Sequence, residues 1–484
     1  MANLKGKKVT VMGLGLHGGG VASVNWLVKH GAKVTVTDLK TAKELKLSLK
    51  KLNNLSKCKL VLGRHREIDF RNADIIVQNP DVPKESKYLK IAKKAGILIE
   101  NEASLFFKNC AAKIVGVTGT RGKSTTSTLI YEILNKSEIR NQRSEIRDQK
   151  SEIRNQRSEI RIWLAGQPQQ PMMAILDKVK KNDLVVLELS SWQLEILGQQ
   201  KLSPHVAIVT NIYPDHLNRY SSMAGYITAK KNIFKFQSKN DFVILNFDNT
   251  QTKKMGREVL SQRFWFSKKY LADQNSCFLK GDYIYFQQNG KISKLVNPEI
   301  SKLKGEHNLE NILAASAVAG IFGAKPKDIQ NGLKNFFGLP GRIELIRTVK
   351  GIKYINDTTA TTPDGTMAAL KALPAKKIVL IAGGTSKNIP DFKYRELAKI
   401  ISQRCRAVVL LPGGGSDQIL KVLSRVNFKP VVYHTADMVQ AVTLAASLAK
   451  NNDIVLLSPA CASFNIFINE FDRGDKFNQV VAKL

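Results

Sequence analysis

Short apolar runs alternate along the chain with longer stretches in which apolar residues recur at helical spacing. The runs fall into three series. The first is VTVM (9–12), VTVTD (34–38), DIIV (74–77) and ILIE (97–100); the second is KIVGVTG (113–119), LVVLELS (184–190), HVAIVTN (205–211) and FVILNF (242–247); the third is KYIND (353–357), KIVLIAGG (377–384), AVVLLPGG (407–414), VVYH (431–434) and IVLLSPA (454–460). Apolar strands separated by helices are typical of parallel sheets covered on both faces. The pattern therefore predicts an α/β fold built from three units.

We expect the boundaries of these units near residues 109 and 339. The length of 484 residues agrees with this division, because a domain has about 150 residues on average. Residues 255–304 are less regular and contain short alternating runs such as YIYF (283–286). Alternation is typical of antiparallel strands with one exposed face, so we expect a small antiparallel addition to the second unit.

Residues 137–161 repeat the heptapeptide pattern SEIRNQR. Ile139, Ile146, Ile153 and Ile160 supply one apolar position per heptad, whereas a coiled-coil seam needs two. We interpret the segment as an exposed low-complexity insertion, partly helical or disordered. A weak oligomerisation helix is the alternative interpretation.

The composition is that of a globular protein, with 43% apolar and 24% charged residues. No run of 18 apolar residues exists, so we expect no membrane insertion. The five cysteines are far apart and odd in number, which favours the reducing cytoplasm over a disulfide framework. A formal charge of +35 attracts polyanions. The basic residues are spread along the whole chain, however, without an aromatic–basic platform, so we expect no nucleic-acid binding.

The first candidate site is the glycine loop GLGLHG (13–18), which lies between the first strand and a helix predicted near Gly19. Asp38 ends the next strand, 20 residues after Gly18. Glycines at this spacing let backbone amides approach a phosphate at the helix N-terminus, and the carboxylate can bind a ribose hydroxyl. The loop favours a nucleotide or dinucleotide ligand. A glycine turn that only packs the helix on the strand is the alternative.

The second candidate site is GTRGKSTT (119–126), which follows the apolar strand KIVGV. A glycine loop that ends in Lys-Ser between a strand and a helix binds phosphates through its backbone amides. Lys123 is expected to neutralise the γ-phosphate, and the hydroxyl of Ser124 is expected to bind Mg²⁺. This motif predicts a site for the β- and γ-phosphates of a nucleotide with Mg²⁺.

Two further groups follow strands of the same predicted sheet. Glu188 ends one apolar strand, Asp215 and His216 follow the next strand, and Lys230 lies on the helix after it. Because the carboxyl ends of parallel strands meet at one edge of a sheet, we expect these side chains near the phosphate loop. Metal or phosphate binding there is the predicted role. A strand-end ion pair for Glu188 and a structural role for His216 are the alternatives.

Later segments add weaker candidates. Asn308 and Asn311 lie one helical turn apart before an alanine-rich helix, where an N-cap and a solvated face explain them equally well. Arg342 and Asp357 open the third unit and are candidates for contact with a nucleotide. The loop LSPACASF (457–464) offers amides and hydroxyls to a carboxylate ligand.

Taken in order, these motifs resemble those of the Mur ligase family, which are ATP-dependent amide-forming enzymes of peptidoglycan synthesis. The resemblance rests on GTRGKST, ELSSWQLE, DHLNRY with YITAK, GEHNLEN, GRIE, NDTTAT, GGTSK, and LSPACASF with DRGDKF. The N-terminal GLGLHGGG with its following TD, and NPDVP (79–83), resemble the members that add D-glutamate to UDP-N-acetylmuramoyl-L-alanine.

The resemblance implies three domains. Residues 1–108 would form a Rossmann-like domain for the UDP substrate, 109–338 a central P-loop ATPase domain with a mostly parallel sheet, and 339–484 a Rossmann-like domain for the amino acid. ATP would phosphorylate the carboxylate of UDP-N-acetylmuramoyl-L-alanine, and the amine of D-glutamate would attack the acyl phosphate. The implied partners are these small molecules, and we expect a cytoplasmic monomer.

The resemblance also implies roles for individual residues. The catalytic residues would be Lys123, Glu188, His216 and Lys230. ATP would contact Gly119, Thr120, Arg121, Gly122, Lys123, Ser124, Thr125, Asn308, Asn311, Arg342 and Asp357. The UDP substrate would contact Gly15, Leu16, His17, Asp38, Asn79 and Pro80, and the amino acid Thr359, Lys387, Ser463 and Phe464. Ser124 and Glu188 would bind one Mg²⁺; His216 and Lys230, carbamylated by CO₂, would bind a second.

Four positions depart from the family pattern. Gln167 and Gln169 stand where the family's AGNIG loop has Asn and Gly, Thr359 stands where a lysine is frequent, and Asn465 replaces an aspartate. A Mur-type ligase for a different amino acid, or a catalytically impaired P-loop binding protein, therefore remains open. Other classes explain less: a dinucleotide oxidoreductase accounts only for the glycine loop, and a nucleic-acid-binding ATPase only for the charge.

Overall fold

The computed structural model describes residues 4–137, 160–168, 170–215, 219–220, 222–303, 305–386, 389–426, 432–463 and 466–484. Almost all of the heptad insertion, and the candidates His216, Lys387 and Phe464, lie outside the described residues. The chain divides into two compact units, residues 1–337 and 338–484. The first unit contains two sheets and the second unit one. The domain boundaries at 108/109 and 338/339 stay predictions.

The first sheet is entirely parallel. Its strands are β1 (Lys8–Met12), β2 (Lys33–Asp38), β3 (Cys58–Leu62), β4 (Ile75–Gln78) and β5 (Leu98–Glu100), in the order β3-β2-β1-β4-β5. The helices are α1 (Gly19–Lys29), α2 (Lys46–Lys50), α3 (Glu67–Arg71), α4 (Lys87–Lys94) and α5 (Glu102–Asn109). The strand order reverses between β1 and β4. Ligands of doubly wound sheets bind at the carboxyl ends of strands at such a point.

The second sheet has nine strands in the order β14-β13-β12-β11-β10-β9-β6-β8-β7. They are β6 (Lys113–Thr118), β7 (Ile162–Ala165), β8 (Leu184–Glu188), β9 (Val206–Val209), β10 (Phe242–Asn246), β11 (Gln262–Ser267), β12 (Ser276–Lys280), β13 (Tyr283–Gln288) and β14 (Lys291–Val296). The strands from β7 to β12 are parallel, whereas β12, β13 and β14 pair antiparallel. The predicted antiparallel addition is therefore confirmed.

In the described part of this domain, six α-helices flank the sheet: α6 (Lys123–Asn135), α7 (Ser191–Gln199), α8 (Met223–Lys231), α9 (Thr250–Met255), α10 (Glu306–Ile321) and α11 (Pro326–Lys334). The alanine-rich α10 is buried continuously from Asn311 to Ala319, because its small side chains let it pack against α6 and the sheet. This packing fixes the first turn of α10 beside the start of α6.

The unit 338–484 has a six-stranded sheet in the order β15-β16-β20-β17-β18-β19. The strands are β15 (Glu344–Val349), β16 (Ile352–Asn356), β17 (Ile378–Gly383), β18 (Cys405–Leu411), β19 (Val432–His434) and β20 (Ile454–Leu457). The helices are α12 (Pro363–Ala372), α13 (Asp391–Arg404), α14 (Gly414–Leu423), α15 (Met438–Leu448) and α16 (Glu470–Val481). Only β15 pairs antiparallel. Three mostly parallel α/β domains therefore make up the chain, as the apolar pattern predicts.

None of the described helices combines the length and the apolar character that crossing a membrane requires.

A partly buried hydrogen bond joins the domains of the two sheets in the first unit. Glu102 begins α5, and its carboxylate accepts a hydrogen bond from the backbone N–H of Met173 (3.2 Å) in the second sheet's domain. The same carboxylate borders the start of α1, since a Cβ on Gly19 would lie 2.8 Å from its Oε2. Burial raises the pKa of Glu102 to about 7, although the hydrogen bonds from Met173 and Met172 oppose this shift.

This pKa makes the stability of the protein depend on pH. The folded chain holds the Glu102 proton more tightly than the unfolded chain, so stability is lost as the pH rises from about 4.5 to about 7. We expect Glu102→Gln, which keeps an acceptor for Met173, to raise the free energy of unfolding by about 1–2 kcal/mol at pH 8 and to leave it unchanged at pH 4.5. Urea unfolding at both pH values measures this. The exposed Glu85→Gln is the control, and an equal effect of Glu102→Gln at both pH values contradicts the assignment.

Candidate active site

The phosphate loop leaves β6 and enters α6 through two glycines with positive φ. Gly119 has φ +150°, and a Cβ there would lie 1.9 Å from Thr210 Oγ1. Gly122 has φ +81°, and a Cβ there would lie 2.3 Å from Asn311 Oδ1. Both positions combine a left-handed backbone with a close neighbour, so only glycine fits them. The loop consequently leaves backbone amides free of side chains at the N-terminus of α6.

The end of the neighbouring strand β9 fixes the shape of this loop. Thr120 N donates to Asn211 O (2.9 Å) and Arg121 N donates to Asn211 Oδ1 (2.9 Å). The hydroxyl of Thr210 donates to Arg121 O (2.6 Å). These three hydrogen bonds with the consecutive residues Thr210 and Asn211 therefore fix the backbone conformation of the phosphate loop.

The two asparagines of the GEHNLEN motif reach the same place. Asn311 is buried, and its Oδ1 accepts a hydrogen bond from Thr126 Oγ1 (3.1 Å) on α6. Its Nδ2 donates to Asn308 Oδ1 (3.2 Å). From the sequence, a position on a solvent-exposed helix face was one of two possible explanations for these asparagines. The structure instead places Asn311 inside the packing of α10 on α6, directly behind Gly122.

Lys230 and Glu188 lie next to β6, the strand that leads into the phosphate loop. Lys230 on α8 is 2% exposed, and its Nζ donates to Thr118 Oγ1 (3.1 Å) at the end of β6. Burial holds the pKa of Lys230 well below its usual range, and the charge of Lys123 adds to this effect against Asp215 and Glu188. Glu188 ends β8, and its Oε2 is buried without a described hydrogen-bond partner.

These residues fit a site for cations and for an anionic modification of the lysine. A buried carboxylate oxygen with no partner is costly unless a cation or a donor binds it. A lysine amine held neutral by burial can act as a nucleophile. Among the residues that the structure describes, no three His, Cys, Asp or Glu side chains are grouped so that they could hold a metal ion.

The loop of residues 165–171, which departs from the family pattern at Gln167, contacts α6. The Nε2 of Gln167 lies within hydrogen-bond distance of Ser124 O (3.2 Å), Ser127 Oγ (2.9 Å) and Thr128 Oγ1 (2.8 Å). An amide nitrogen has two protons, so it can donate to two of the three at once. Gln167 thus fixes this loop to the first turns of the helix that carries the phosphate loop.

The glycine loop of the first sheet is fixed by Asp38. Its Oδ2 accepts hydrogen bonds from Leu14 N (2.9 Å) and Gly15 N (3.1 Å), and its Oδ1 accepts one from Lys40 N (2.9 Å). Asp38 therefore orders the loop through backbone amides, a contact that the sequence did not predict. His17 is exposed and Leu16 is half-buried, so both present side chains at the loop surface.

In the unit 338–484, Asp357 follows β16 and lies in a polar pocket. Its carboxylate accepts hydrogen bonds from Ser458 Oγ (2.7 Å) and Ile343 N (3.2 Å). Burial raises the pKa of Asp357 to about 7, against these hydrogen bonds and the charge of Arg342. Thr359 Oγ1 donates to Gly341 O (2.9 Å). Arg342, Asp357 and Thr359 therefore surround one turn.

Sequence patterns of three families match the chain. They are described as Mur ligase MurD-like, N-terminal domain (residues 7–100), Mur ligase middle domain (117–319) and Mur ligase, glutamate ligase domain (341–461). A UDP-N-acetylmuramoylalanine–D-glutamate ligase of Roseiflexus sp. is 40% identical over 99% of both chains. A ligase of the same name from Caldicellulosiruptor saccharolyticus is 34% identical over the whole of both chains. The chain belongs to the Mur ligase family.

Solved Mur ligase structures have the same fold. UDP-N-acetylmuramate-alanine ligase from Thermotoga maritima aligns with a TM-score of 0.59 at 19% identity and covers 99% of both chains. A MurF ligase from the same organism, solved in complex with ADP, aligns with a TM-score of 0.52 at 17% identity over 99% of this chain and 96% of its own. Because its family and its full-length relatives are those of ATP-dependent ligases, this Mur ligase is an ATP-dependent ligase.

The sequence analysis did not identify two groups of residues that make structural contacts in this Mur ligase. Thr118 and Thr210 end neighbouring strands and contact Lys230 and the phosphate loop; their position at strand ends was the available signal. Arg473 is buried and donates to Thr358 O (2.8 Å) and Cys461 O (3.1 Å). It thereby joins the loops after β16 and β20, a contact across more than a hundred residues that no local pattern indicates.

The shape of the phosphate loop can be tested at Gly122. Gly122→Ala places a methyl group against Asn311 Oδ1 in a left-handed backbone. We expect ATP to bind at least tenfold more weakly and the free energy of unfolding to fall by about 2 kcal/mol. Gly281→Ala has φ +56° with no atom within 4 Å of the added Cβ, so it is the control for backbone strain alone. Calorimetric titration with ATP measures the effect, and equal affinities in the two variants contradict it.

Proposed function

We propose that this Mur ligase joins D-glutamate to UDP-N-acetylmuramoyl-L-alanine, with the conversion of ATP to ADP and phosphate, in peptidoglycan synthesis. The names of its full-length relatives support the substrates. The observation that carries the proposal is that the segment after β7 lies near both loops within residues 1–337. Its Pro171 is close to the glycine loop of the first sheet, and its Gln167 contacts the helix that follows the phosphate loop.

Gly18, the residue before α1, lies close to this segment, since a Cβ added there would lie 3.9 Å from Pro171 Cγ. At the other end of the same segment, Gln167 contacts Ser124 and Thr128 on α6. A substrate whose nucleotide lies on the glycine loop can therefore extend its carboxylate along this segment toward a γ-phosphate held at the N-terminus of α6. Gly15, Leu16, His17, Asp38, Asn79 and Pro80 are the residues proposed to contact the UDP substrate.

The reaction follows from charge and position. The substrate carboxylate attacks the γ-phosphorus of ATP and releases ADP, while Lys123 and the amides of the phosphate loop stabilise the negative charge on the phosphoryl oxygens. The amine of D-glutamate then attacks the acyl phosphate carbonyl. The tetrahedral intermediate expels phosphate, and the amine loses a proton as the amide forms. Alignment of the reactants supplies most of the rate, because no acid–base dyad is required.

We propose that Ser124 and Glu188 bind one Mg²⁺, and that His216 and a carbamate on Lys230 bind a second. Bound Mg²⁺ neutralises phosphate charge. The unpartnered Glu188 Oε2 and the buried amine of Lys230 support these assignments. The main ATP contacts proposed are the loop 119–125 with Asn308, Asn311, Arg342 and Asp357.

The amino acid is proposed to bind to Thr359, Lys387, Ser463 and Phe464, of which Ser463 is buried and Lys387 and Phe464 lie outside the described residues.

We further propose that the enzyme works as a monomer in the cytoplasm, where its nucleotide substrates are made, and that nucleic acid is not a partner. The dispersed basic residues support the last point.

Substrate-dependent release of phosphate tests the function. With Mg²⁺, ATP and UDP-N-acetylmuramoyl-L-alanine, we expect phosphate release to require an amino acid and to be largest with D-glutamate in a panel of D- and L-amino acids. Lys123→Ala should lower the rate at least 1000-fold and leave UDP binding unchanged. A different preferred amino acid would refute the substrate assignment. No release with any amino acid would favour a nucleotide-binding protein without ligase activity.

The role of Lys230 predicts opposite effects on activity and stability. Lys230→Met removes the amine proposed to carry the carbamate and fills the same buried space. We expect ligation to be lost and, in CO₂-free buffer at pH 7, the free energy of unfolding to rise by about 1–3 kcal/mol. Because the pKa of Lys230 is lowered on folding, this gain should shrink as the pH rises toward 10.5. Thermal unfolding at pH 7 and pH 10 measures it; a variant less stable than wild type at pH 7 contradicts the argument.

A further inference from the structure

Arg219, in the segment between β9 and α8, contacts a loop of the first sheet. Arg219 donates from its two terminal nitrogens to Pro80 O (2.9 Å) and Val82 O (3.3 Å). Its guanidinium carbon lies 4.5 Å from the ring centroid of Trp192 on α7. The planar fork of arginine thus reaches two carbonyls of the loop 79–83 while it stacks on an indole.

The positive charge of Arg219 is directed at the loop 79–83. Arg219 makes no ion pair with a carboxylate in the part of the chain that the structure describes, and its Nε is buried without a partner. Two carbonyls and one aromatic face are therefore the groups that compensate the guanidinium. Lysine cannot replace it, because an ammonium group lacks the fork that spans Pro80 and Val82.

The loop 79–83 in turn forms one wall of the glycine loop. Asn79 N donates to Met12 O (2.9 Å), and Asn79 Nδ2 donates to Gly13 O (3.4 Å). A Cβ on Gly13 would lie 2.8 Å from Asn79 Cβ, and one on Gly15 would lie 3.0 Å from Asn79 Nδ2. A shift of the loop 79–83 would therefore displace the backbone of the glycine loop.

Along the chain, Arg219 is close to candidate site residues of the second sheet. Arg219 lies four residues after Asp215 and eleven before Lys230, and Trp192 follows Glu188 at the start of α7. A second contact, the ion pair between Lys84 and Glu195 on α7, supports the same interface. The end of β8, which carries Glu188, and the segment that leads to α8, which carries Lys230, are thereby connected to the wall of the glycine loop.

We propose that Arg219 is a positioning residue for the nucleotide-sugar substrate: it sets the glycine loop through the carbonyls of Pro80 and Val82 and touches no reactant. This inference rests on the proposed function, since it assumes that the glycine loop binds the UDP group. It assigns Trp192 the role of the surface against which the guanidinium is held.

Arg219→Lys tests the proposal with a matched control in the same unit. Arg263 on β11 also lies over an indole, that of Trp265 (5.2 Å), and donates to a carbonyl, Gly256 O, but it contacts neither the loop 79–83 nor the phosphate loop. We expect Arg219→Lys to raise KM for UDP-N-acetylmuramoyl-L-alanine at least tenfold, with kcat and KM for ATP within about twofold of wild type. Arg263→Lys should leave all three constants unchanged.

Binding of UDP alone, measured by calorimetry, separates this inference from the proposed function. We expect affinity for UDP to fall about tenfold in Arg219→Lys and by a smaller factor in Trp192→Phe, which keeps an aromatic face. Unchanged UDP affinity in both variants overturns the inference, as does an equal rise of both KM values together with a lower melting temperature. Failure of the wild-type protein to bind UDP refutes the proposed function instead.

Discussion

The buried amine of Lys230 is the constraint on which the arrangement of the active site depends. An amine with 2% exposure cannot keep its charge without cost, and here the nearby charge of Lys123 increases that cost. Thr118, at the end of β6, accepts a hydrogen bond from the amine, and the charge of Glu188, at the end of β8, opposes the lowering of its pKa. Thr210 and Asn211, which follow the neighbouring β9, hold the backbone of the phosphate loop. The amine of a lysine on α8 therefore reaches the same edge of the sheet from which the phosphate loop leaves β6.

The sheet order explains how distant motifs meet. β6 lies between β9 and β8, so the phosphate loop, Glu188 and the segment that leads to Lys230 emerge side by side from parallel strands. α10 adds Asn311 from the far end of the same domain, because its alanines allow close packing on α6. Arg219 and Glu102 then connect this region with the first sheet. The glycine loop and the phosphate loop, for which we propose nucleotide and phosphate binding, are thus connected within residues 1–337.

Much of this could be predicted from local sequence, and the exceptions have physical causes. The glycine loops and most strands were predictable because backbone conformation and apolar runs are local properties. β3 was missed because it is an edge strand whose CKLVL sequence is mostly exposed, so its pattern is weak. The contacts of Arg219 with Pro80 and of Gln167 with α6 span 139 and about 40 residues. The sequence identified Asp38 but not its amide contacts, since those depend on how the glycine loop folds back.

The central claim is that this protein activates a carboxylate by phosphoryl transfer at the loop 119–125. Ligation of UDP-N-acetylmuramoyl-L-alanine labelled with ¹⁸O in its terminal carboxylate tests it most directly. If the carboxylate attacks ATP, one ¹⁸O atom leaves with the inorganic phosphate and the other stays in the amide, which mass spectrometry of both products detects. Phosphate that carries no ¹⁸O while the amide product accumulates would contradict an acyl phosphate, and with it the function assigned to this arrangement of residues.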